Sequence, residues 1–161
     1  EHSIECFGYR FEEKDKLRID KVKMKKLGLK EGPHLMELLN GKAISYKGRE
    51  ISPKELCFTK KGKVIAYVSD TALCENAKLL SKDADLVICE STYASKHIDK
   101  TDKYLHLTSE QAAMIASQSN AKELILTHFS QRYNDVSELL SEAKAIFPNT
   151  KAAFDFMKIK L

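Results

Sequence analysis

The strongest constraint on the fold is a rhythm that sets in at Val64: short apolar runs of strand length, each followed by a stretch able to form a helix. The runs cover 64–68, 86–88, 123–127 and 151–154, with a last strand expected over 157–159, and the intervening helices are expected over about 73–80, 109–117 and 136–146. Strands that alternate with helices through short connections define an α/β layer. Two helix starts are fixed more tightly than the others. Thr108 with Gln111, and Asp135 with Glu138, both have the spacing at which a cap side chain and the third helical side chain exchange backbone hydrogen bonds.

At 161 residues and 43% hydrophobic composition the chain can bury one ordinary core. It contains no apolar run approaching the roughly 18 residues of a membrane span, and it opens on Glu1-His2-Ser3-Ile4-Glu5 with no basic region leading into an apolar segment, so no membrane partner is expected. Cys6, Cys57, Cys74 and Cys89 are scattered without Cys-x-x-Cys spacing, which argues against a zinc ribbon and fits reduced thiols in a cytoplasmic protein. The first residue is not methionine and functional residue types begin at His2, so the sequence reads as a fragment or a processed piece of a longer protein.

Between an opening strand that runs to about Phe11 and the α/β part lies an insert of different texture. From Lys14 to Lys30 eight basic residues face two acidic ones, leaving +6 here and −2 in the rest of a chain whose net charge is +4. A block of this kind either forms a solvated helix face or meets a polyanion, where each cation near a phosphate displaces condensed counterions. Asp20 is placed to cap a short helix through Lys26 closed by Gly28, and Pro33 to open another that ends near Gly41. Residues 43–51 alternate apolar and polar about Lys47-Gly48, the pattern of a hairpin. These elements read as too short and too lysine-rich to form a core of their own, and an extended, protruding arm is expected over 12–52.

Polar residues collect where the strands stop. One run ends in Ser69-Asp70-Thr71, the next in Cys89-Glu90-Ser91-Thr92, and a third, Leu124-Ile125-Leu126-Thr127, in His128-Phe129-Ser130-Gln131-Arg132-Tyr133. Ligands of open α/β sheets bind at the carboxyl ends of the strands, so Asp70, Glu90 and His128 are candidates to converge, with His106 joining them from just before a helix start. Taken singly, Asp70 also reads as a turn cap, Glu90 as a solvated strand end, His106 as a helix-start residue and His128 as a packed core histidine. Together they form an oxygen and nitrogen donor set suited to zinc or another divalent ion. The set is short of a complete site: the five histidines, His2, His34, His97, His106 and His128, include no closely spaced pair.

The order of these motifs resembles that of ribonuclease Z, the tRNA 3′-processing endonuclease family of the metallo-β-lactamase superfamily, over essentially the whole chain. His2-Ser3-Ile4-Glu5-Cys6-Phe7-Gly8-Tyr9-Arg10 looks like that family's third histidine motif; Ser69-Asp70-Thr71, Cys89-Glu90-Ser91-Thr92, His106-Leu107-Thr108 and His128-Phe129-Ser130-Gln131-Arg132-Tyr133 follow in its order; and Gly32-Pro33 stands where the family carries the Gly-Pro element of a tRNA-gripping arm. The resemblance implies the C-terminal half of an αββα sandwich with a protruding α/β arm insertion. It implies two zinc ions per complete site, held here by His2, Asp70 (bridging) and His128. The family's His-x-His-x-Asp-His motif, which would supply the remaining ligands, is absent from this sequence.

The same resemblance gives His106 the proton transfer to the leaving 3′ oxygen and Glu90 the task of orienting it. Substrate contacts fall to Arg132, Ser130 and Thr71, and in the arm to Lys21, Lys23, Lys25, Lys26, Gly32 and Pro33. It implies precursor tRNA as substrate, a homodimer whose arm serves the partner's active site, and the missing N-terminal half as a partner without which this piece is inactive. Two positions depart from the family pattern: Ser69 stands for a glycine, with a possible effect on the backbone beside the metals, and Cys89 stands for a histidine, removing a polar contact near Glu90. Two other readings compete, a hydrolase of a small-molecule ester on the same fold and a non-catalytic RNA-binding remnant. The lysine-rich insert disfavours the first, and Asp70, His106 and His128 occurring together disfavour the second.

Overall fold

A computed structural model describes residues 1–161, apart from the side chain of Asp102. The chain divides into two compact units, one of residues Glu1–Glu12 with Lys63–Leu161, the other Glu13–Gly62.

The larger unit is built on five strands, β1 (Tyr9–Glu12), β6 (Val64–Val68), β7 (Leu86–Glu90), β8 (Leu124–Thr127) and β9 (Thr150–Ala152), in that spatial order. β1 is antiparallel to β6, and every later neighbour is parallel. Parallel strands need crossovers, and these are α4 (Glu75–Ser81), α5 and α6 (Ile98–Tyr104 and Ser109–Gln118) and α7 (Ser137–Ile146). Period-2 alternation sends Ala66, Val68, Val87, Cys89, Leu124 and Leu126 to one sheet face, where they pack with Ala77, Ala112, Ala113, Ile115, Ala116 and Ala143 of the helices. The helices supply mostly alanine, so they lie close to the sheet; each fully buried Leu or Ile in this layer contributes roughly 1.5–3 kcal/mol. On the opposite face Tyr9 is paired with Tyr67 and Phe11 with Ile65, and Tyr9, Phe11 and Tyr67 are exposed.

At the amino ends of β6 and β8 the buried Asp85 gathers Lys63 (3.0 Å), Lys122 (2.8 Å) and the Val64 amide (2.9 Å). Burial alone would raise its pKa, but the Lys122 hydrogen bond, the Val64 N–H and Lys63 together outweigh it and lower the pKa to about 2. A pKa below that of the unfolded chain means stability that is present above about pH 4 and is lost as pH falls toward 2. Asp85→Asn is expected to cost about 1–2 kcal/mol at neutral pH, discounted because Lys122 is largely exposed, and to flatten the acid limb of a urea-midpoint titration between about pH 4 and pH 2. An unchanged acid limb would remove Asp85 as its source.

The smaller unit pairs β2 (Lys16–Ile19) with β5 (Cys57–Lys60) and adds α1 (Lys21–Lys26), α2 (His34–Leu39), the hairpin β3 (Ile44–Tyr46) and β4 (Arg49–Ile51), and the turn of helix α3 (Pro53–Leu56). Asp20 caps α1 as expected, accepting from the Val22 and Lys23 amides at 3.0 Å each. Lys47 (φ 52°) and Gly48 (φ 77°) both take the left-handed conformation that a two-residue hairpin loop requires. The expectation that these elements lack a core is corrected: Met24, Leu29, Leu38, Ile44, Ile51 and Leu56 are buried against one another. One apolar side chain from nearly every element is enough, because the lysines stand outward and α1 turns only Met24 inward.

Three further expectations need correction. Residues 157–159 form no strand; after β9 the chain turns at Phe156, with φ 64° and its ring solvent-exposed, and finds no pairing edge. The reciprocal cap at Thr108 and Gln111 forms, but the one at Asp135 and Glu138 does not: Asp135 accepts from the Ser137 amide while Glu138 is drawn away to Lys96 at 2.8 Å. A 3-10 turn at Ser95–His97 and helix α5 occupy a stretch to which the sequence pattern assigned no element. Among the described residues no helix is long and apolar enough to cross a membrane.

Candidate active site

Parallel pairing of β6, β7 and β8 brings their carboxyl ends level, so the residues just beyond each strand meet. Glu90, the last residue of β7, is 1% exposed and accepts four hydrogen bonds: from the Thr71 amide (2.8 Å), His106 Nδ1 (3.1 Å), the Thr92 amide (3.3 Å) and Thr92 Oγ1 (2.7 Å). Four donors on two oxygens are the complement of a carboxylate, which makes Glu90 the hub joining the β6, β7 and pre-α6 loops. With Nδ1–H donated to Glu90, His106 keeps Nε2 for the site.

Thr92 carries the order onward. Its one proton goes to Glu90, so its oxygen accepts from His128 Nδ1 at 2.9 Å, a closer partner than Asp70 Oδ1 at 3.4 Å from the same nitrogen. His128 therefore also presents Nε2. The backbone of His128 is left-handed at φ 57°, a conformation that costs a non-glycine residue about 1–2 kcal/mol and that collects at functional sites. It is held there by its own Nδ1–H on the Thr92 hydroxyl (2.9 Å) and by the Ser130 amide on Thr92 O (3.1 Å). His2 follows the same logic: Nδ1 donates to the Leu105 carbonyl at 3.0 Å, and its ring lies 5.1 Å from that of His106.

Asp70, His106 and His128 each offer a ligand atom within 4.8 Å of the others, the spacing of a site that could hold a divalent ion. One carboxylate with imidazoles whose second nitrogens are already bonded is the donor chemistry that zinc and similar ions take. The set of mutually close atoms contains His106, and His2 stands beside it. Thr71 contributes its amide to Glu90, and its hydroxyl donates to Ala72 O at 2.9 Å. Arg132 is exposed, with Nε donating to Ser130 Oγ at 3.1 Å. Lys21, Lys23, Lys25, Lys26 and Pro33 are exposed on the smaller unit, and Gly32 is tight against His34, whose ring would lie 2.9 Å from an added Cβ.

Of the two departures, Ser69 is not among the positive-φ residues, and its hydroxyl donates to Phe7 O at 2.8 Å, so the backbone beside Asp70 is unstrained there. Cys89 points into the main core, fully buried and away from Glu90, and burial pushes its thiol pKa well up. Thr92 and Tyr93 were missed as functional residues by sequence reasoning. Thr92 bridges Glu90 and His128, and Tyr93 packs on His106 and beneath Arg132; the adjacency of both to Glu90 was the only available signal.

A half sheet with helices on one face and a His, Asp and Glu cluster at the strand ends defines part of a metallo-β-lactamase fold. Solved structures agree: the metallo-β-lactamase fold protein YhfI from Bacillus subtilis superposes with TM-score 0.51 at 27% identity over 56% of this chain and 36% of that one. A long-form RNase Z from yeast gives 0.52 at 29% identity over 58% of this chain and 13% of that one. No family model matches. The sequence is 45% identical over 160 residues to ribonuclease Z of Bacillus licheniformis, spanning 96% of this chain and 52% of that protein, and 42% identical to ribonuclease Z of Crocosphaera subtropica, spanning 97% and 53%. The chain belongs to the ribonuclease Z family and spans about half the length of the curated relatives it matches.

Proposed function

We propose that this chain is the C-terminal half of a zinc-dependent endoribonuclease that removes the 3′ trailer from precursor tRNA and leaves a 3′-hydroxyl on the tRNA. The observation that carries the reading is the buried Glu90, which orients His106 directly and His128 through Thr92 beside Asp70, in a chain this close to ribonuclease Z. His2, Asp70 and His128 would hold zinc, two ions in the complete site, with further ligands from a His-x-His-x-Asp-His segment that this sequence lacks. When bound, the ions would neutralise charge on the scissile phosphate and acidify a water.

The chain's own residues do the rest. His106, its Nδ1–H fixed on Glu90, delivers a proton from Nε2 to the leaving 3′ oxygen, and Glu90 stabilises the imidazolium that precedes this step. Arg132, with Ser130 on its Nε, offers its remaining guanidinium donors to a phosphate. The smaller unit, with Lys21, Lys23, Lys25, Lys26 and the Gly32-Pro33 turn, takes the body of the tRNA through backbone phosphates. Two copies acting as a homodimer, each arm serving the other's site, complete the reading in a cytoplasmic enzyme.

The test is a deletion. Glu12 pairs with Val64, so residues 13–62 hang between adjacent strand ends and a two-residue Asn-Gly turn can replace them. In the enzyme carrying both halves, the deletion is expected to reduce kcat/KM for precursor tRNA by about 100-fold or more at physiological salt and to flatten its salt dependence, while hydrolysis of a small phosphodiester stays within about twofold. Undiminished tRNA cleavage would refute the role of the smaller unit.

A further inference from the structure

We infer that Tyr93 is a positioning residue whose ring is the common support of Arg132 and His106, an inference that rests on the phosphodiester-cleaving reading above. The Arg132 guanidinium carbon stands 5.2 Å over the Tyr93 ring, and the same ring meets His106 edge-on, with centroids 6.2 Å apart and planes at 76°.

The ring has little freedom. Tyr93 is 6% exposed, its amide donates to Leu107 O at 3.1 Å, and its carbonyl accepts from the Ser109 amide at 2.9 Å, so it is stitched to both sides of the segment that follows His106. From α7, Glu142 fastens the start of the 3-10 turn to the start of α6 on either side of this stitch, accepting from the Ser95 amide and hydroxyl and from Ser109 Oγ (2.6 Å). A rigid ring beneath Arg132 matters because the arginine is otherwise an exposed side chain in a turn, and ordering it when substrate arrives would cost side-chain entropy. Cation–π attraction and the Ser130 hydrogen bond order it beforehand, without neutralising it: among the described residues no carboxylate pairs with Arg132. Its charge stays available for a phosphate beside His106.

The hydroxyl is not what does this. Among the described residues the Tyr93 phenol has no hydrogen-bond partner, so the ring face and edge carry the role. Tyr93→Phe should therefore preserve it and Tyr93→Leu should abolish it. In the enzyme carrying both halves, Tyr93→Leu is expected to raise KM for precursor tRNA about three- to thirtyfold, the range of one cation–π contact, and Tyr93→Phe to stay within about twofold. Because Tyr93 is argued to act through Arg132, Tyr93→Leu should add nothing further to the KM of Arg132→Leu.

A second measurement reads the seat without turnover. In the NMR spectrum of this chain the Arg132 side-chain Hε resonance should carry an upfield ring-current shift in the wild type and in Tyr93→Phe, and lose it in Tyr93→Leu. A wild-type KM in Tyr93→Leu, independent multiplication of the Tyr93→Leu and Arg132→Leu effects, damage from Tyr93→Phe equal to that from Tyr93→Leu, or an unshifted Hε would each overturn the inference. If the wild-type enzyme cleaves no precursor tRNA, the functional reading fails while the ring-current comparison still decides whether Tyr93 seats Arg132.

Discussion

Replacing Glu90 by alanine is expected to cost about 3–5 kcal/mol of stability, the largest loss from any single change in the site. The carboxylate is 1% exposed, so truncation leaves the Thr71 amide, the Thr92 amide and hydroxyl, and His106 Nδ1 turned toward a cavity with too little solvent to satisfy them. Each stranded donor forfeits about 1–3 kcal/mol before relaxation, against a total stability of roughly 5–15 kcal/mol for a domain of this kind. The urea midpoint should fall sharply at unchanged m-value. Glu90→Gln separates folding from chemistry. It keeps the volume but turns an NH₂ group toward donors, so it should hold most of the stability while loosening His106 and lowering kcat in the complete enzyme by about 10²- to 10⁴-fold. An alanine variant with the wild-type midpoint would show that the three loops are held by something else.

The parts of this site that sequence could reveal are those written locally. The apolar runs of β6, β7 and β8 and the polar residues directly after them gave Asp70, Glu90 and His128 a common edge, because parallel strands with helical crossovers must end on one side. The Thr108 cap was legible for the same reason, both partners lying within four residues. What escaped is non-local or conformational. Thr92 joins Glu90 to a histidine 36 residues away, which no window along the chain contains. The left-handed backbone of His128 is imposed by those contacts and runs against the preference of the residue.

The smaller unit shows the same limit in its fold. The strand pair β2 and β5 joins segments about forty residues apart, with Lys16 opposite Lys60; β2 alternates over only four residues, Lys16-Leu17-Arg18-Ile19, and Cys57-Phe58-Thr59-Lys60 does not alternate, so neither marks a strand by itself. Helix α5, Ile98-Asp99-Lys100-Thr101 onward, lacks an apolar stripe and is stabilised by its surroundings rather than by its own pattern. A core of six residues spread over five elements and the loop after α1 is likewise invisible until the elements are assembled.

Metal content separates the half-site reading from its competitors by the widest margin. Asp70 and His128 supply ligand atoms within 4.8 Å of each other and His2 an imidazole nearby, enough to attract one divalent ion but fewer donors than two ions require. After dialysis against a mild chelator this chain is expected to retain at most one zinc, weakly held, and to cleave no precursor tRNA. Adding the half that carries the His-x-His-x-Asp-His segment should bring two tightly held ions and cleavage together, since the added ligands finish both coordination shells. The exposed aromatic face of Tyr9, Phe11 and Tyr67 offers that half an apolar surface, so burial of a hydrophobic dye-binding site should accompany the gain. Asp70→Ala should remove the retained ion from this chain and hold the completed enzyme below about one-thousandth of wild-type turnover, while leaving the urea midpoint nearly unchanged because the carboxylate is 36% exposed. Two firmly bound ions and full turnover in this chain alone would overturn the half-site, because the ligands for the second ion would then have to lie among these 161 residues.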